Sequence, residues 1–231
     1  MNEKRIGIIQ PGRIGDIVIC LPIAKYYYDL GYKIIWPICY NYIKHFQDYI
    51  DYVNFVPITN NLWKCINEAR NNVIDCKRLE LAFSYPNTPD TTLLFDSQNI
   101  PFDELKYKIA NVPFDKKWVL DINRNTDNEL KLYNKLCNNN NKYIVYHCEG
   151  SGFKREIKFD NIDNFNIITL TNETNSIFDW LMILEQANKL VLVDSCIANM
   201  VEQLNISNSK YFIIRSPYKI TPTLRNKWIK V

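Results

Sequence analysis

Short apolar runs alternate along this chain with longer segments in which apolar residues recur every three or four positions. The first run, Arg5-Ile6-Gly7-Ile8-Ile9, predicts a buried strand over 5–10, since a continuous apolar run of this length suits a strand covered on both faces. Ile17–Leu30 follows as an apolar helix closed by Gly31 at its C′ position. Pro22 inside it predicts an irregular first turn or a kink. Lys33–Cys39 and Tyr52–Ile58 read as strands. Asn41–Ile50 and Asn61–Asn71 read as helices, the second with Leu62, Ile66 and Ala69 at helical spacing. Leu79–Phe83 and Thr92–Phe95 have strand length and Phe102–Ala110 is helical, in a stretch punctuated by Pro86, Pro89, Pro101 and Pro113. Asp127–Cys137 is a helix that stops at Asn138-Asn139-Asn140-Asn141, and this run predicts the domain boundary, 1–138 against 139–231.

The second half repeats the alternation, with strands at 143–148, 167–170, 189–194 and 210–215. Helices are predicted at Ser176–Asn188 and Ser195–Asn205, the latter with Ile197, Met200, Val201 and Leu204 on one face. Strands alternating with helices indicate βαβ units and a mostly parallel sheet in each half, an α/β chain. In such sheets ligands bind at the carboxyl ends of the strands.

Composition narrows the classes. Hydrophobic residues make up 47% of the 231 residues, ample for packed cores. The seven cysteines form no C-x-x-C pair, which fits buried thiols in a reducing compartment rather than a disulfide framework or a zinc site. With two histidines, a His-rich metal site is excluded. Pro11, Gly12 and Asp16 interrupt the N-terminal apolar run before a signal-peptide core could form, and no run approaches the roughly 20 residues of a bilayer span. A cytoplasmic protein is expected, with the inner membrane face or a phage-infected host cytoplasm as variants. The net charge of +3 decides nothing. Its distribution adds a question: from Ile206 onward Lys210, Arg215, Lys219, Arg225, Lys227 and Lys230 occur with no Asp or Glu. That stretch is either a last strand with solvated lysines or a surface for polyanions.

Glycine is scarce, with six in the chain, and Gly12, Gly15, Gly150 and Gly152 fall in two loops that each follow a predicted strand. Glycine is expected where backbone turns with positive φ or approaches a ligand closely, so both loops are candidate ligand walls, each ahead of a helix. The first, Gln10-Pro11-Gly12-Arg13-Ile14-Gly15-Asp16, ends in a carboxylate. Asp16 is either a helix N-cap or a general base. The second, Gly150-Ser151-Gly152-Phe153-Lys154-Arg155, is either a basic turn or a diphosphate cradle. At a third place, strand Leu190–Val193 ends in Asp194 and a helix opens with Ser195-Cys196-Ile197-Ala198-Asn199. Asp194 and Ser195 are either caps or a second anion site with a carboxylate for sugar hydroxyls. Neither G-x-G-x-x-G nor G-x-x-x-x-G-K-[ST] occurs, which disfavours dinucleotide and P-loop readings.

The three segments together resemble the lipopolysaccharide heptosyltransferase (ADP-heptose transferase, glycosyltransferase family 9) family. Arg13-Ile14-Gly15-Asp16 with Leu21-Pro22 is similar to its R-[IL]-G-D loop and L-P helix. Gly150-Ser151-Gly152-Phe153-Lys154-Arg155 is similar to its second-domain Gly/Ser loop. Asp194-Ser195-Cys196-Ile197-Ala198-Asn199 is similar to its D-[ST]-G-x-x-H motif, with Cys196 in place of the glycine and Asn199 in place of the histidine. The resemblance implies a GT-B architecture, two Rossmann-like βαβ domains facing each other across a cleft. The first domain would lie on the acceptor side; the small second one would bind a nucleotide-diphosphate sugar, its last residues able to pack back on the first. It implies Asp16 as catalytic base. It implies donor and phosphate contacts from Gly12, Arg13, Gly15, Gly150, Ser151, Gly152, Lys154, Arg155, Asp194, Ser195, Cys196 and Asn199, and ribose binding by Glu173.

The expected activity is inverting, metal-independent sugar transfer from a nucleotide sugar, as co-substrate, to an acceptor hydroxyl, with no cofactor. Absence of a D-x-D triplet agrees with metal-free chemistry. The acceptor is a saccharide or glycolipid, or a hydroxymethylated base in DNA. A nucleotide-sugar epimerase and a non-catalytic nucleotide-sugar-binding module are the other classes.

Overall fold

The computed structural model describes residues 3–61, 64–82, 100–137, 142–150, 153–155, 165–171, 173–214, 222–225 and 227–231. The chain divides into two compact units, Met1–Asn123 and Arg124–Val231.

The first unit is a parallel sheet of β1 (Arg5–Ile9), β2 (Lys33–Cys39), β3 (Val53–Ile58) and β4 (Lys77–Glu80), in the order β3-β2-β1-β4. Ile6, Ile8 and Ile9 of β1 are fully buried, as a central parallel strand covered on both faces requires. Gly7 is there for a close approach. A Cβ at this position would come within 2.7 and 2.8 Å of the Val73 side chain.

Helix α1 spans Ile14–Asp29, starting three residues earlier than its apolar pattern suggests and continuing unbroken through Pro22. It stops as its sequence dictates. Gly31 takes φ 81°, its N–H donates to Tyr28 O, and Tyr32 N–H donates to Tyr27 O, the pair of bonds that a glycine at C′ permits. Helix α2 is shorter than predicted, Tyr40–Ile43. Beyond it the chain proceeds by turns, such as Phe46 N–H to Ile43 O and Tyr49 N–H to Phe46 O, that still bury Phe46, Tyr49 and Ile50. Helix α3 is Cys65–Asn72 and α4 is Phe102–Ala110. Helix α4 and the 3-10 turn Phe114–Trp118 pack against α1, where the hydroxyls of Tyr27 and Tyr107 donate to Ala110 O (2.6 Å) and Ile19 O (2.9 Å). The predicted strand at 92–95 lies outside the described residues.

The second unit begins with α5 (Thr126–Cys137). The asparagine run, outside the described residues, predicts the boundary after this helix; the chain divides before it, between Asn123 and Arg124. The physical reason is packing. Helix α5 lies on α6 (Leu181–Gln186) and on the 3-10 turn Ile177–Trp180. Arg124 ties them together, donating to Glu129 Oε1 at 2.9 Å and to Glu185 Oε1 at 2.7 Å. The sheet comprises β5 (Tyr143–His147), β8 (Asn166–Thr169), β9 (Lys189–Val193), β10 (Ser209–Ile213) and β11 (Trp228–Lys230), all parallel, in the order β11-β10-β9-β5-β8. Helix α7, Cys196–Gln203, joins β9 to β10. Two-residue strands β6 (Glu149–Gly150) and β7 (Phe153–Lys154) pair antiparallel, so the second glycine loop is a hairpin and not the expected strand-to-helix turn.

Each sheet reverses its strand order once. The reversal falls between β1 and β4 in the first unit and between β5 and β9 in the second. The crevice beyond the carboxyl ends at such a reversal is where open α/β sheets bind ligands.

Candidate functional site

The β1/β4 reversal of the first unit holds a buried polar group. Gln10 follows β1, Leu81 follows β4, and Lys106 projects from α4; Gln10 and Lys106 are fully buried. Lys106 Nζ donates to Gln10 Oε1 and to Leu81 O, both at 2.7 Å, and pairs with Asp16 Oδ1 at 3.1 Å. Gln10 Nε2 donates to Gly12 O at 2.8 Å, and Pro11 O accepts from Cys39 N–H at 2.7 Å. An ammonium removed from water needs acceptors on all three N–H groups, and these oxygens supply them. The Asp16 side chain is 13% exposed.

Asp16 is not the N-cap of α1. Arg13 holds that position, and Asp16 lies in the first turn, where the helix dipole favours an anion. Gly12 and Gly15 do not take positive φ either. In this loop the left-handed backbone belongs to Arg13, at φ 58° and ψ 116° with its side chain exposed. Such a conformation costs a non-glycine residue about 1–3 kcal/mol and tends to occur at functional sites.

At the β5/β9 reversal of the second unit, His147 ends β5 and Ser195 precedes α7. His147 Nδ1 and Ser195 Oγ are 3.1 Å apart. Ser195 sits at the N-cap without a capping bond from its side chain. Burial pushes the imidazole of His147 down to about 4, opposed by the nearby Glu149 carboxylate, so the ring is neutral near pH 7. Asn199 Nδ2 donates to Ser195 O at 3.0 Å, while its buried Oδ1 has no hydrogen-bond partner. The Cys196 thiol is pushed up to about 11 by burial, against the effect of the amides of Cys196 and Ile197. A side chain therefore faces amides that a glycine would leave bare.

Gly150 lies in β6, paired with β7, and Ser151 and Gly152 lie outside the described residues. Lys154 is exposed and pairs with Glu149 across the hairpin at 3.1 Å. Arg155 N–H donates to Cys148 O. Asp194 N–H donates to Ile213 O at 3.3 Å, at the end of β10. Glu173 pairs with Lys135 of α5 at 2.5 Å and accepts from Thr171 Oγ1; these partners hold its carboxyl below the usual range. Of the basic tail, Lys210 is buried, donating to Ile206 O and lying near Glu202. Glu202, fully buried, also accepts from Arg225 N–H and Trp228 Nε1. Burial of Lys210 leaves Arg225, Lys227 and Lys230 as the exposed cations among the described tail residues.

Three residues of these two sites escaped the sequence reading. Lys106 had a signal, since it shares the buried face of α4 with Asp103, Tyr107 and Ala110 at helical spacing. His147 had a weaker one, as a titratable residue closing a predicted strand. Gln10 had none.

No family model matches the chain, and no curated protein matches it. Among solved structures, a family 9 glycosyl transferase from Veillonella parvula DSM 2008 aligns over 99% of this chain and 86% of its own, with a TM-score of 0.58 and 10% identity. The E. coli heptosyltransferase WaaC, solved with ADP-2-deoxy-2-fluoro heptose, aligns over 98% of this chain and 92% of its own at 11% identity, but with a TM-score of 0.48. The Veillonella alignment carries the conclusion, which concerns architecture: this chain is built on the fold of a family 9 glycosyl transferase.

Proposed function

We propose that the chain is an inverting, metal-independent glycosyltransferase that moves a sugar from a nucleotide-diphosphate sugar to a hydroxyl of a saccharide or glycolipid. The observation that carries this reading is the carboxylate of Asp16, held by a buried lysine at the strand-order reversal of the first sheet, the kind of place where open α/β sheets bind ligands. The shared fold supports it.

In this reading Asp16 takes the proton of the acceptor hydroxyl. The oxygen attacks the anomeric carbon from the face opposite the diphosphate, and the bond from that carbon to the phosphate oxygen breaks. Charge on the leaving diphosphate is met by the amides opening α7 and by Ser195, whose hydroxyl His147 orients. A preorganised field of this kind stabilises developing charge without rearrangement. Lys154 and Arg155 contribute once Lys154 exchanges Glu149 for phosphate, Asp194 contacts the donor sugar, and Glu173 leaves Lys135 for the ribose.

The test is incubation with a panel of nucleotide sugars and candidate acceptors, scoring release of nucleoside diphosphate. Release with one donor, dependent on an acceptor, is expected. A panel without release, under conditions in which a donor raises the melting temperature, would instead support a binding module.

A further inference from the structure

Lys106 is used by no step of the chemistry above, yet it is fully buried and paired with the Asp16 carboxylate. Oxygen partners from three elements meet it. Gln10 lies just past β1, Leu81 just past β4, and Asp16 in the first turn of α1. An ammonium has three N–H groups, and these three acceptors match them. Lys106 therefore has its bonding capacity taken up by the protein and acts on its neighbours. Gln10 extends the reach, because the amide that accepts from Lys106 also donates to Gly12 O.

We propose that Lys106 is the positioning residue for the candidate base: one buried ammonium fixes the Asp16 carboxylate through Oδ1 and, through Gln10, the loop that carries it. Oδ2 is then the oxygen presented to the acceptor hydroxyl. The proton moves from that hydroxyl to Oδ2 as the new bond to the anomeric carbon forms and the bond to the diphosphate breaks. This role rests on Asp16 acting as the base. It matters because placing reactive groups contributes heavily to rate, and a displacement of about 1 Å can lower it about 10²-fold.

The experiment is a cycle of Asp16→Asn, Lys106→Met and the double variant, with kcat, KM for the donor and melting temperature measured for each. Lys106→Met is expected to lower kcat about 10²-fold with donor KM unchanged. In the Asp16→Asn background the same change should cost almost nothing further, because groups that act as a unit are non-additive. If Lys106→Met does not fold, Gln10→Met takes its place. It keeps the ion pair, removes the tie to Gly12 O together with the Oε1 acceptor of Lys106, and should lower kcat by a smaller factor at constant KM. Additive losses, or a loss that appears in donor KM, would overturn the positioning role while leaving Asp16 as base. A wild-type protein that turns over no donor would overturn the proposed function and the positioning role with it.

Discussion

His147 is a residue whose burial has a measurable consequence away from catalysis. Its folded value of about 4 lies below the 6.5 of an unperturbed histidine, so between these values the unfolded chain binds more protons than the folded one. Stability contributed by the neutral ring is full above pH 6.5 and is lost as pH falls towards 4, by about 3 kcal/mol in the limit. Urea unfolding at pH 7 and pH 4.5 should show this acid loss in the wild type and a much smaller one in His147→Gln. Equal losses in both would show that His147 is not the group responsible. Cys196 makes a second prediction. Replacing it with glycine uncovers the amides of residues 196 and 197, and one recovered hydrogen bond to a charged phosphate contributes about 1.5 kcal/mol, roughly tenfold in Kd. Calorimetric titration of Cys196→Gly with the donor should show tighter binding; weaker binding would mean that the thiol itself holds the ligand. Ser195 was legible as a candidate because it follows an apolar run at a strand end, Asp16 because it closes a glycine loop, and Asn199 through the family resemblance. Their partners were not: Lys106 meets Gln10 across 96 positions of sequence, and periodicity carries no information at that range.

Among the elements, those that periodicity predicted well are those whose ends carry a local signal. Helix α1 stops at Asp29 with Gly31 at C′ setting its end, and β2 matches its predicted bounds, Lys33–Cys39. Elements decided by packing were read less well. Helix α2 unravels into turns that bury the same aromatic residues. The Gly150 loop closes a hairpin, since Glu149 and Lys154 find each other across it. The unit boundary moves ahead of α5 for the same kind of reason, and Arg124 is the side chain that anchors it. Glu129 is fully buried, so Arg124→Ala leaves a buried carboxylate without its guanidinium. The cost should be about 2 kcal/mol, below that of a fully enclosed pair because Arg124 keeps 35% of its side chain exposed. A midpoint of urea unfolding indistinguishable from wild type would remove Arg124 as the anchor.

For the whole molecule, two compact parallel-sheet units each bring their polar groups to the reversal point of their own sheet. The same fold in a family 9 glycosyl transferase, at 10% identity, shows how little sequence that architecture needs. The apolar alternation that specifies parallel sheets was therefore sufficient to predict the α/β class, whereas donor and acceptor depend on side chains that the alternation leaves unconstrained. The proposed role of Asp16 as base is probed by replacing its carboxylate with an amide of the same shape. With the donor identified from the panel, nucleoside diphosphate release by Asp16→Asn should fall at least about 10²-fold while the donor raises the melting temperature as it does in the wild type. Release at the wild-type rate by a folded, donor-binding Asp16→Asn protein would show that Asp16 is not the base.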